Sequence, residues 1–185
     1  ISRWFHSRAT PGLTRFMFVI TDLHDVMPVS LMGLAFGGYL LWRRNWYWLI
    51  PLAIALPGGM LTNVLLKQIF RRDRPSFDEP LLSLASYSFP SGHVTSATLL
   101  YGVLALYIAA GLKTWRNRVY IFIGASLLVI LVAVTRVYLG VHYFSDVVPA
   151  AAWSAAWLVM WLTVVVFKLV RTGLPQRSEP APPAM

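Results

Sequence analysis

Residues 119–135 read VYIFIGASLLVILVAVT, an uncharged run with Arg116 and Arg118 before it and Arg136 after it. An α-helix rises about 1.5 Å per residue, so such a run comes close to crossing the roughly 30 Å hydrocarbon core of a bilayer. Four more runs repeat the pattern, at 26–42, 46–66, 93–112 and 147–170, and nearly every Lys and Arg falls between them. The expected fold class is therefore all-α: a polytopic transmembrane bundle of five spans, of which 26–42 and 119–135 are the shortest and most open to extension. Leu56-Pro57-Gly58-Gly59 predicts a kink in the second span, which buried membrane helices tolerate.

Composition agrees. The 185 residues are 57% hydrophobic and 12% charged, about half the charge of an average soluble domain, for which about 25% is usual. The absence of Cys excludes a disulfide framework, a thiolate nucleophile and Cys-based metal sites. The net charge of +9 first raises the question of nucleic acid, but the cations sit at the ends of apolar runs and form no basic stripe with interleaved aromatics. Anionic headgroups of a phospholipid bilayer are the simpler partner, and no nucleic acid is expected.

A single membrane domain is expected over residues 1–173, followed by a Pro-rich disordered tail at 174–185. Thr10-Pro11 reads as a helix start, and Leu13, Phe16, Met17, Ile20 and Leu23 recur at helical spacing. This predicts an interfacial amphipathic helix over 10–24. His6, His24 and Asp25 receive no role, since single polar residues near a membrane surface are mostly solvated. No signal peptide is read at the start, and the absence of an initiator Met leads us to expect trimmed upstream sequence with room for a further span.

Alternating spans put 67–92 and 136–146 on one face. The other face receives Arg43, Arg44, Lys113, Arg116, Arg118, Lys168, Arg171 and Arg177. By the positive-inside rule the second face is cytoplasmic, which puts the first on the periplasmic or extracellular side of a bacterial inner (plasma) membrane.

That first face concentrates polar chemistry in three segments: Lys67 with Arg74-Pro75, Pro90-Ser91-Gly92-His93, and Arg136 through His142 to Asp146. Arg meets two phosphate oxygens with a planar fork, and Lys adds a compact charge. Ser91, Gly92 and His93 open a helix, where unpaired backbone N–H groups attract an anion. His142 and Asp146 are four apart, so on a helical turn the carboxylate fixes the imidazole tautomer and leaves the other ring nitrogen to attack. Taken singly, each has a plainer reading: snorkelling cations, packed histidines, and a helix cap at Asp146. Three such clusters on one face point instead to a phosphate site.

The same segments resemble the type 2 phosphatidic acid phosphatase and vanadium haloperoxidase superfamily. Its signature is Lys, six residues, Arg-Pro; Pro-Ser-Gly-His; and Ser-Arg, five residues, His, three residues, Asp. Here Thr135 stands in place of the Ser. The resemblance implies that His142 attacks phosphorus to give a phosphohistidine, that Asp146 orients it, and that His93 protonates the leaving oxygen and then activates water. Lys67, Arg74, Ser91, Gly92 and Arg136 would hold the phosphoryl oxygens. Arg71 and Arg72 fall outside the signature and are assigned to headgroup contacts.

Phosphoryl transfer asks mainly for positioning and charge neutralisation, which these groups supply without a metal or other cofactor. Asp73, Asp78 and Glu79 read as solvated loop charges rather than ligands. His93 charged and His142 neutral predict a bell-shaped pH profile. The expected function is metal-independent hydrolysis of a lipid phosphate or pyrophosphate, such as phosphatidic acid, phosphatidylglycerol phosphate, undecaprenyl pyrophosphate or a lipid A phosphate. The alternatives are a vanadate-dependent haloperoxidase and a non-catalytic lipid binder or transporter.

Overall fold

The computed structural model describes residues 4–5, 8–77, 80–82 and 84–172. His6, Asp78, Glu79 and the tail at 174–185 lie outside these. Six helices are described: α1 Pro11–Leu23, α2 Val26–Trp42, α3 Trp46–Phe70, α4 Gly92–Ala110, α5 Trp115–Tyr138 and α6 Phe144–Thr172.

Local chemistry explains several of the boundaries. Asp25 starts α2 by accepting the Val26 N–H at 2.8 Å, and Thr114 starts α5 by accepting that of Asn117 at 3.4 Å, both as N-caps. Helix α5 ends at Tyr138, and Gly140 just beyond its cap has a φ of 74°, the left-handed conformation typical after a helix end. The Arg136 carbonyl then receives the N–H groups of both Val141 and His142, at 3.3 and 3.2 Å. This closure folds the chain back at once, so that His142 comes to lie beside the helix it has just left.

Helix α4 is the axis of the bundle, packed chiefly against α3, α5 and α6. Leu40, Leu52, Ala55, Leu99, Val103 and Leu158 form one core cluster; Val94, Ala97, Val132, Val137, Val147 and Ala150 form a second, nearer the site. Helix α3 runs from Trp46 to Phe70 through Pro51 and Pro57. The Pro57-Gly58-Gly59 stretch serves close packing: a Cβ on Gly59 would collide with Leu99, and one on Gly58 would lie 3.1 Å from Trp157. Trp157 Nε1 also donates to the Ala55 carbonyl at 3.1 Å.

Among the described residues four helices are long and apolar enough to cross a bilayer by themselves, rather than five: α3, α4, α5 and α6 over Phe144–Val165. At 17 residues, α2 rises only about 25 Å. It completes a fifth span only together with α1, to which it is bent by 48°. The other runs shift at their ends: α3 continues to Phe70 and α4 stops at Ala110, while α5 ends later than its hydropathy indicates, which brings Arg136 into its last turn, and α6 begins earlier, which brings Asp146 into its first turn. Only 11% of the most apolar stretch of α5 is buried within the protein; the apolar side chains left outside, including Leu127, Leu128 and Ile130, require hydrocarbon around them. Helix α1 buries Met17 and Thr21 against the end of α5 and turns Leu13, Phe16, Val19 and Leu23 outward.

Candidate active site

The C-terminal ends of α3 and α5, the N-terminal ends of α2 and α4 and the segments connecting them converge around a cavity of about 540 Å³. Lys67, Arg74, Gly92, His93, Arg136 and His142 all line it. Asp146 and Ser91 stand behind its wall, each fully buried. The eight residues singled out in the sequence are thus in one place, six on the surface of the cavity and two behind it.

Backbone bonds lock the three segments together. Ser88 N donates to the Arg72 carbonyl at 2.8 Å, and Ser91 N to that of Asp146 at 3.3 Å. Arg74 bridges the first and third segments, with Nη1 donating to the Val141 carbonyl at 2.6 Å. Its Nε and Nη2 hold the Ser86 carbonyl and hydroxyl at 2.6 and 2.9 Å. Lys67 Nζ donates to the Tyr87 carbonyl at 2.5 Å. Both cations are therefore fixed in direction by the 84–90 loop.

The tautomer of His142 follows from its neighbours. Arg74 Nη1 lies 3.4 Å from Nε2, and a guanidinium only donates, so Nε2 presents its lone pair. The proton then belongs on Nδ1, which faces Ser88 Oγ at 3.4 Å and Asp146 Oδ2 at 3.5 Å. Burial holds the His142 pKa down, to about 4; the bond to Asp146 works against this, and the charges of Arg136, Arg74 and Lys67 reinforce it. The imidazole is neutral at pH 7. Arg74 is also lowered by burial, with Asp146 opposing.

Asp146 is braced from several sides. Its Oδ2 accepts from Ser88 Oγ at 2.5 Å and from the Tyr143 N–H at 2.8 Å. Its Oδ1 receives Arg72 Nη1 at 2.6 Å. The bond from Tyr143 N, just before the first residue of α6, is the backward half of a capping box, so Asp146 caps its helix as well as facing His142. Arg72 is a correction: it lies over the Tyr143 ring at 4.4 Å and pairs with the Asp146 carboxylate rather than extending toward headgroups. Arg71 stays exposed, with Nε on the Gln68 carbonyl at 3.0 Å.

Sequence reasoning also missed Ser88, Asn63 and the turn at His24-Asp25. Buried Asn63 donates to the Pro90 carbonyl at 3.3 Å and to Thr95 Oγ1 at 3.0 Å, pinning the Pro-Ser-Gly-His segment to α3. An Asn inside an apolar span, one helical turn before Lys67, was a legible signal of this. His24 is buried rather than solvated, and it lines the cavity with Asp25.

The model of the PAP2 superfamily matches residues 46–170, all three segments included. This chain belongs to the PAP2 superfamily. It is 34% identical over 139 residues to phosphatidylglycerophosphatase B of Bacillus subtilis, covering 74% of this chain and 68% of that one. Decaprenylphosphoryl-5-phosphoribose phosphatase of Mycobacterium tuberculosis is 36% identical over 127 residues, 64% of this chain and 62% of its own. Among solved structures, the transmembrane PAP2-type phosphatidylglycerolphosphate phosphatase of Bacillus subtilis superposes with a TM-score of 0.75 at 29% identity, over 91% of this chain and 83% of that one. The protein is an integral-membrane phosphatase of this superfamily.

Proposed function

We propose that this membrane lipid phosphatase cleaves a lipid phosphate or pyrophosphate through a covalent histidine intermediate, with no metal in the step. The observation that carries the reading is the His142 tautomer: a neutral ring whose Nε2 lone pair points toward Arg74 in a cavity lined by cations. Nε2 attacks phosphorus, the bond from phosphorus to the lipid oxygen breaks, and His93 gives that oxygen its proton. Water then attacks the phosphohistidine, His93 accepts a proton from it, and inorganic phosphate leaves with Nε2 restored.

Lys67, Arg74, Arg136 and the N-terminal amides at Gly92 receive the phosphoryl oxygens. Arg136 lines the cavity, and its Nε is buried without a hydrogen-bond partner, a costly condition that a phosphoryl oxygen would relieve. The negative charge of the substrate also favours the protonated form of His93 that the first step needs.

Val26, Met60 and Val64 line the cavity between α2 and α3, and Val26 and Val64 are exposed on the bundle's outer side. A headgroup in the cavity would leave its chains against this apolar wall, in lipid. Phosphatidylglycerol phosphate is the substrate to test first, supported by the Bacillus subtilis relative. The site is proposed to open on the periplasmic or extracellular face of a bacterial inner membrane.

The test is phosphate release by detergent-purified protein in EDTA from phosphatidylglycerol phosphate, phosphatidic acid, undecaprenyl pyrophosphate and lipid A. With labelled substrate and an alkaline quench, wild type should carry acid-labile label and His142→Ala none. Undiminished release by His142→Ala would refute the covalent step.

A further inference from the structure

The superfamily match begins at residue 46, yet the turn between α1 and α2 supplies a wall of the cavity through His24, Asp25 and Val26. That turn is clamped to the bundle. Thr21 Oγ1 lies 3.0 Å from Thr135 Oγ1 and accepts from Arg136 Nη1 at 3.0 Å. His24 Nδ1 donates to the Ile20 carbonyl at 2.7 Å, so Nε2 accepts from the Tyr101 hydroxyl at 2.6 Å. These bonds tie the end of α1 to both α4 and α5. Asp25 is fixed further by capping α2 through Oδ1, and that oxygen lies 3.8 Å from His93 Nε2.

We infer that Asp25 is a positioning residue for His93, holding the ring and its proton for delivery to the leaving oxygen. The inference rests on the reading of His93 as the general acid. The charged or titratable groups whose charge reaches His93 from its surroundings are His24 from the same turn, Arg136 from α5, and Arg74 and His142 from the connecting segments. All of these are cationic or neutral, whereas Asp25 faces the ring with the opposite charge. Asp25 is 62% exposed, so solvent screens the pair and its contribution is modest.

The experiment measures kcat and KM against pH for wild type, Asp25→Asn, Asp25→Glu, Asp22→Asn and His93→Ala, with a lipid phosphate in mixed micelles. Asn keeps the helix cap and removes the charge. Asp25→Asn should lower kcat roughly fivefold and leave KM within about twofold. It should also move the limb along which His93 loses its proton to lower pH, while Asp25→Glu restores part of both. Asp22 is an exposed carboxylate on α1, and Asp22→Asn should match wild type. An unmoved limb in Asp25→Asn, or a loss of kcat accompanied by lower thermal stability and no rescue by Glu, overturns the inference alone. Wild-type kcat in His93→Ala overturns the reading of His93 and the inference with it.

Discussion

Acidification should destabilise this protein through His142 in particular. An imidazole in an unfolded chain titrates near 6.5, whereas His142 is held at about 4 by burial. The sign follows from which state binds the proton. Between these two values the unfolded chain takes up a proton that the folded site refuses, so stability falls as pH falls. At about 1.4 kcal/mol per pH unit, the contribution amounts to roughly 3 kcal/mol, present at pH 7 and lost by about pH 4. The side chain is only 2% exposed, so solvent screening takes little from that figure. The assay is the thermal midpoint of detergent-solubilised protein from pH 7.5 to 4, for wild type and His142→Gln. The wild-type midpoint should fall more steeply below pH 6.5, and the difference between the curves isolates His142 from the other histidines. Parallel curves would refute the argument that the ring is buried neutral.

Three further substitutions test the scaffold around the site. Gly140→Ala places a side chain at φ 74° and 2.8 Å from the Phe77 ring; the backbone strain alone costs about 1–2 kcal/mol, and a lowered thermal midpoint with reduced kcat should follow because His142 begins the next turn. Asn63→Leu removes both donors that pin Pro90 and Thr95, at about 1–3 kcal/mol for the buried groups left unpaired, and phosphate release should fall in kcat more than the protein loses in folded yield. Arg72→Gln removes the cation on Asp146; because Arg72 is 39% exposed, the stability loss is expected near 1 kcal/mol after screening, and kinetics with unchanged kcat would show that Asp146 needs only Ser88 and the Tyr143 amide.

Lys67, Arg74, His93, Arg136, His142 and Asp146 were legible as a candidate site because they fall in, or open from, two connections between apolar runs that alternation puts on one face. The geometry adds what spacing cannot carry. Asp146 at i+4 of His142 lies 3.5 Å from its ring, and its shortest bonds go to Ser88 and Arg72. Ser88 had no distinguishing mark in a loop of Ser and aromatic residues. Arg72, adjacent to Arg71 and two before Arg74, looked like one more interfacial cation.

By itself, then, the sequence determined that the chain is a membrane helix bundle and where its polar segments fall, because the bilayer imposes a length and a polarity on each span that local composition must satisfy. It also determined the family, because the motif spacings are local. Only the tertiary structure decided the partners: Arg72 meets Asp146 across 74 positions, Thr21 meets Arg136 across 115, and Asp25 comes to face His93. Those pairings depend on how α1 and the 71–90 connection fold back over the bundle's end. The same end-on closure decided that α2 needs α1 to make a full span, since the 48° bend that sets Asp25 against the cavity leaves neither helix long enough alone.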